Sequence, residues 1–155
     1  MLKSLTWITV FLWMILIFYF SQQPVHISYG LSTTITEQLI ETVQTIVPLE
    51  EVHVDTVNHI VRKNAHFIIY FFLGIFILGA LRKNGINRIR SIWLALFVCI
   101  IYAASDEFHQ LFVPGRGAQV KDVLIDCAGA VFGIGTATII SSIRKRKKVP
   151  SKPLV

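Results

Sequence analysis

Four apolar runs divide this chain, and the polar positions around them are unevenly placed. The runs are Leu5–Phe20, Ala65–Leu81, Ile92–Ala104 and Val123–Ile143. A helix needs about 20 mostly apolar residues to cross about 30 Å of hydrocarbon. The third run has only thirteen residues before Ser105, and it reaches spanning length if the helix continues through SDEFHQLFV. The pattern predicts spanning helices over about 5–20, 62–81, 92–113 and 123–143. Between the first two, Leu31, Ile35, Leu39, Ile40, Val43, Ile46 and Val47 recur at helical spacing. Thr34-Ile35-Thr36-Glu37 has the form of a capping box, and Pro48 ends the pattern. These residues predict an amphipathic helix over about 32–47, on the outer membrane surface or over the bundle, as a linker or a lid. The expected fold is an all-α membrane protein, a four-transmembrane-helix bundle with an additional extracytoplasmic amphipathic helix. One domain covers 1–148, and Pro150 and Pro153 mark a disordered tail over 149–155.

Punctuation along the chain supports these boundaries. Asp55 is a candidate N-cap for the second long helix, and Arg82-Lys83-Asn84-Gly85 stops it. The third helix is expected to start near Ser91 and to break at Pro114-Gly115; the fourth starts near Lys121. Gly129 and Gly133 form a small-xxx-small pair that admits another helix closely, including one from a second copy. Lys3 before the first run resembles a signal peptide, but no small-x-small cleavage site follows, so a retained helix is expected.

Composition and charge sharpen the picture. Of 155 residues, 54% are hydrophobic and only 15% charged, which separates the chain from soluble domains. The net charge of +6 invites a nucleic-acid reading, but its distribution argues against one. With the N-terminus cytoplasmic and the helices alternating, eleven of the fifteen basic residues fall inside; Arg62, Lys63, Arg116 and Lys121 fall outside. That is a positive-inside bias, and it places both termini in the cytoplasm. The basic tail then lies near anionic headgroups, as a topology anchor rather than a nucleic-acid arm. Cys99 and Cys127 both sit inside predicted spans, where thiols act as small apolar groups.

The remaining polar residues gather at the outer helix ends. On the second helix Arg62, His66 and Tyr70 lie at i, i+4, i+8, with Lys63 on the flank. On the third, Tyr102, Asp106 and either His109 or Gln110 share a face, with Glu107 adjacent. On the fourth, Asp122 and Asp126 continue into Gly129 and Gly133, so the acidic stripe is also the close-packing stripe. Asp106 should lie one or two turns below the outer interface, where an ionised carboxylate costs at least ~2.5 kcal/mol. Four basic groups (Arg62, Lys63, Arg116, Lys121) balance four acidic ones (Asp106, Glu107, Asp122, Asp126). That balance suits a salt-bridge network that only holds the bundle together. The added His66, His109, Tyr70, Tyr102, Asn64, Ser105 and Gln110 suit a functional site.

These same residues carry a resemblance. RKNAHFIIYFFLG (62–74), SDEFHQLFVPGRGAQVKDVLIDCAGA (105–130) and FSQQP (20–24) are similar to the VanZ-like family of bacterial membrane proteins. The likeness spans nearly the whole chain, through Arg62, Lys63, His66, Tyr70, Asp106, Glu107, Gln110, Arg116, Asp122 and Gly129. Asp126 stands where Asn is common in that pattern. The resemblance implies a multi-pass protein of the bacterial cell membrane, in a family named for a link to teicoplanin resistance, with no assigned catalytic mechanism.

Several functions remain open. An enzyme of the outer leaflet would bind an anionic group of a lipid-linked envelope precursor through Arg62, Lys63 and Arg116, supported by Tyr70, Gln110, Asp122 and Asp126. His66 or His109 would move protons, oriented by Asp106 or Glu107. No hydrolase motif surrounds Ser105, the one hydroxyl beside the acids. A binding protein would capture an anionic lipid headgroup with the same cluster. A proton-coupled transporter lacks ionisable residues in the inner halves of its spans. A metal held by His66, His109, Glu107 and Asp126 matches no standard spacing, and no cofactor is expected.

Overall fold

A computed structural model describes residues 2–24 and 54–147, together with positions 30, 33 and 38. Four helices make up the described chain, and no strand occurs among these residues: α1 (Leu2–Ser21), α2 (Val54–Lys83), α3 (Arg88–Gln110) and α4 (Val120–Lys147). Each contains a stretch long and apolar enough to cross a membrane, namely Ser4–Ser21, His59–Lys83, Arg88–Gln110 and Val120–Arg144. The amphipathic helix expected over 32–47 lies outside the described residues apart from positions 33 and 38, as does the tail at 149–155.

Local chemistry sets the helix ends. α2 is described from Val54. It closes in a Schellman arrangement: Ile86 N–H donates to the Leu81 carbonyl and Gly85 N–H to that of Arg82. Gly85 takes φ 87° there, a conformation that disfavours any side chain. α3 starts at Arg88, three residues before Ser91, because the Asn87 side chain accepts from Arg90 N at 2.8 Å and caps it. It stops at Gln110, short of the Pro114 break. Leu111, Phe112 and Val113 each donate to the carbonyl three residues back, which tightens the last turn. Arg116 N–H then donates to Val113 O across Pro114 and Gly115, and Gly115 has φ 77°. Proline followed by a positive-φ glycine is the signature of a type II turn.

Packing inverts the pattern of a soluble bundle. Large apolar side chains such as Phe11, Ile15, Trp93, Phe97, Leu124 and Phe132 are exposed outward, as a lipid-facing surface requires. The buried face of α3 is small and increasingly polar: Ser91, Ala95, Cys99 and Ala103, then Asp106, Glu107 and Gln110. α2 is the hub, touching α1, α3 and α4, and its most extensive packing is with α4. A side chain at Gly129 would strike the Phe67 backbone of α2, and one at Gly133 the Phe71 backbone. The Gly129/Gly133 face, expected to admit another helix from this chain or from a second copy, packs on α2 of the same chain. Cys99 and Cys127 are unlinked.

Along its length α1 is fastened to α2 and α3 by side-chain hydrogen bonds to backbone carbonyls. Trp13 Nε1 donates to Ile69 O at 2.9 Å, and the Tyr102 hydroxyl donates to Met14 O at 2.6 Å. At the basic end Arg82 forks between Thr138 Oγ1 at 2.9 Å and Ser141 Oγ at 3.1 Å, pinning α2 to α4. Tyr102→Phe should lower stability by about 1 kcal/mol, in line with single hydrogen bonds in membrane interiors. SDS-induced unfolding of the purified protein measures it.

Candidate functional site

The polar residues of α2, α3 and α4 converge at one end of the bundle in two layers. The upper layer is a cleft of about 70 Å³ lined by His59, Arg62, Lys63, His66, Gln110, Gln119, Asp122 and Ile125. A water needs about 10–15 Å³ on this measure, so the cleft holds several waters or one phosphate-sized group. The helical stripe of α2 explains half of the lining. Positions 59, 62, 63 and 66 are three or four apart, so they share a face.

Beneath the cleft lies the buried layer. Asp126 is fully buried, and Asp106 and Glu107 are each 3% exposed. His66 joins the layers, with Nδ1 3.3 Å from Asp126 Oδ1. His66, Asp106 and Asp126, one from each of three helices, each offer a ligand atom, and these atoms lie within 4.8 Å of one another. Apart from His66 at Asp126 and the Ser21 hydroxyl beside Asp106, neither aligned for a regular hydrogen bond, no donor reaches the carboxylate oxygens of Asp106 and Asp126. Tyr70 is fully buried below them, its ring 6.2 Å from that of Tyr102 and its hydroxyl without a hydrogen-bond partner.

The surrounding contacts fix this arrangement. Lys63 Nζ meets Asp122 Oδ1 at 3.4 Å. Glu107 Oε2 accepts from Gln119 N at 2.8 Å, tying the end of α3 to the residue before α4. Gln110 Nε2 donates to Ser21 Oγ at 3.0 Å, and Arg116 Nη1 donates to Ser21 O at 2.8 Å. The last carbonyls of a helix lack partners within it, and the second of these bonds satisfies one of them in α1. Burial first, and then the nearby charge of Arg62, hold the Arg116 guanidinium below its usual pKa.

Of the residues expected at a site, Arg62, Lys63, His66, Gln110 and Asp122 line the cleft, while Asp106, Asp126, Glu107 and Tyr70 lie buried below or beside it. Arg116 is directed to the end of α1. The structure chooses Gln110 over His109 for the shared face of α3; His109 stands apart, its ring 4.7 Å from that of Phe18. Ser105 is exposed and donates to Tyr102 O, and Lys121 is exposed. Three residues were not singled out from the sequence. His59 had a signal, since it begins the Arg62/Lys63/His66 stripe one turn earlier. Ser21 and Gln119 had none, because only the fold brings the end of α1 and the start of α4 to Gln110 and Glu107.

No curated protein and no solved structure matches the chain. The VanZ/LLP1 family matches it over residues 6–141. That stretch reaches into all four helices and takes in the whole polar cluster, so it is the entire bundle, and not one segment of it, that belongs to the VanZ/LLP1 family.

Proposed function

We propose that this VanZ-family protein sits in the bacterial cell membrane with both termini cytoplasmic, and uses the cleft at the outer leaflet to hold an anionic group of a lipid-linked or cell-envelope molecule. The concentration of basic residues at the opposite helix ends supports the orientation. The observation that carries the binding reading is the cleft itself: Arg62 and Lys63 stand at a phosphate-sized space beside the neutral donors Gln110 and Gln119. The cleft is too small for a whole lipid-linked molecule, so the acyl or prenyl part would lie along the exposed apolar faces in the bilayer. His66, oriented by Asp126, is the group placed to move a proton if the bound molecule is transformed. Binding of an envelope precursor would also give the protein a route to altered teicoplanin sensitivity.

The test compares binding of phosphatidylglycerol and phosphatidylcholine by the purified protein in detergent. The anionic lipid should bind preferentially. Arg62→Gln should weaken it about tenfold or more, as loss of a charge-assisted hydrogen bond does. Arg62→Lys should recover part of the affinity, since it keeps the charge but not the planar fork. Equal affinity for both lipids, or an unchanged Arg62→Gln variant, would leave the cluster as a brace for the bundle.

A further inference from the structure

We propose that His66, Asp106 and Asp126 form a binding site for one divalent transition-metal ion of the Zn²⁺ or Mn²⁺ class, in the buried layer beneath the cleft. The inference goes beyond the anion-binding reading and does not depend on it. Its geometric basis is that three helices deliver one imidazole and two carboxylates to a single point, with ligand atoms within 4.8 Å of one another. Metal–ligand bonds of about 2.0–2.2 Å put neighbouring ligand atoms about 3.3 Å apart in a tetrahedron and opposed ones about 4.4 Å apart. Closing a tetrahedral site from that spread takes side-chain shifts of up to about 1.5 Å between neighbouring ligand atoms, within reach of small rotations about the side-chain bonds.

The second basis is the state of the carboxylates. Asp126 is fully buried and Asp106 is 3% exposed; their nearest donors are His66 Nδ1, 3.3 Å from Asp126 Oδ1, and the Ser21 hydroxyl beside Asp106, and neither is aligned for a regular hydrogen bond. The neighbouring polar groups have other contacts: Lys63 meets Asp122, Gln119 N donates to Glu107, and Gln110 and Arg116 donate to Ser21. One imidazole cannot neutralise two buried carboxylates, whereas one dication can. Buried acceptors without an aligned donor are rare, and a cation among these ligand atoms would satisfy them.

The donor set selects the metal class. Mg²⁺ and Ca²⁺ prefer all-oxygen shells, so the imidazole points to a first-row transition ion. The two carboxylates and the lack of a thiolate favour Zn²⁺ or Mn²⁺ over Cu⁺. Three protein ligands leave coordination positions for water or a bound anion. Tyr70, one turn along α2 from His66, is buried with its hydroxyl unpartnered, and that hydroxyl would donate to a carboxylate oxygen holding the ion.

The test uses the full chain, purified in detergent without a polyhistidine tag and stripped with EDTA. Co²⁺ is titrated and followed by its visible d–d absorption, then displaced with Zn²⁺. One equivalent of Co²⁺ should bind saturably and be displaced by Zn²⁺. Asp126→Asn and His66→Gln, each checked for a monodisperse elution profile, should weaken binding by about 100-fold or more, as expected when a ligand itself is lost. His109→Gln, altered at the ring packed on Phe18, should bind like the parent. Absence of saturable one-to-one uptake by the parent protein overturns the proposal whether or not the variants fold. Uptake that survives both ligand substitutions, or that falls equally in His109→Gln, overturns this ligand set.

Discussion

Gly133→Ala should strip most folded protein from the membrane, whereas Gly135→Ala, two residues on, should leave it intact. Both substitutions add one methyl group to α4, and both improve helix propensity by about 1 kcal/mol. At Gly133 the new Cβ would collide with the Phe71 carbonyl of α2, which is backbone and cannot rotate away. At Gly135 it would meet nothing within 4 Å. Relief at Gly133 requires separating α2 from α4, the most extensive interface in the bundle. Overpacking a core typically costs about 1–3 kcal/mol, and a backbone clash between spanning helices should exceed that range. Lipid provides little hydrophobic drive to push the helices back together, because close contact is what holds them. The yield of monodisperse protein after extraction, measured for both variants, decides it; equal yields would mean that the helices do not approach this closely.

Asp106→Asn should fold as well as the parent and, in metal-free protein, resist unfolding by about 1–3 kcal/mol more. The Asp106 carboxylate is 3% exposed, and the Ser21 hydroxyl beside it is not aligned for a regular hydrogen bond. Asparagine keeps its shape, removes the buried charge, and its amide can still accept from the nearby Ser21 hydroxyl. Were the cluster only a salt-bridge brace, the same change would break a stabilising contact and lower stability. A thermal or SDS unfolding comparison after EDTA treatment separates the two, since the sign of the change differs. Stability gained by removing a group marks that group as kept for binding or chemistry rather than for folding.

Much of the architecture could be read from the sequence because membrane helices obey one dominant constraint. Every backbone polar group in hydrocarbon must be satisfied within its own segment, so a long apolar run has to be a helix. The four runs and their order follow from that rule. The boundary residues follow it less closely: Asn87 caps α3 so that it starts three residues before Ser91, and α3 tightens and ends before Pro114. Capping depends on which side chain reaches an N–H, and spacing alone does not show that. Helical stripes were also legible within single helices, so Arg62, His66 and Tyr70 could be placed on one face of α2.

What pairs with what across helices was not legible. The sequence allowed Gly129 and Gly133 to meet either another copy or another helix of the same chain, and the fold commits them to Phe67 and Phe71. It left His109 and Gln110 as equal partners for Asp106; rotation of α3 about its axis turns Gln110 to Ser21 and His109 to Phe18. It also gave no reason to bring Ser21, more than eighty residues away, to Gln110 and Arg116. The amino-acid sequence by itself determined four apolar helices, the polar end they share, and the face of each helix that carries charge, because hydropathy and the 3.6-residue period are local properties. The tertiary structure alone decided that Asp106 and Asp126 meet His66 without aligned donors of their own, because helix rotation and depth are set by packing between segments distant in the chain.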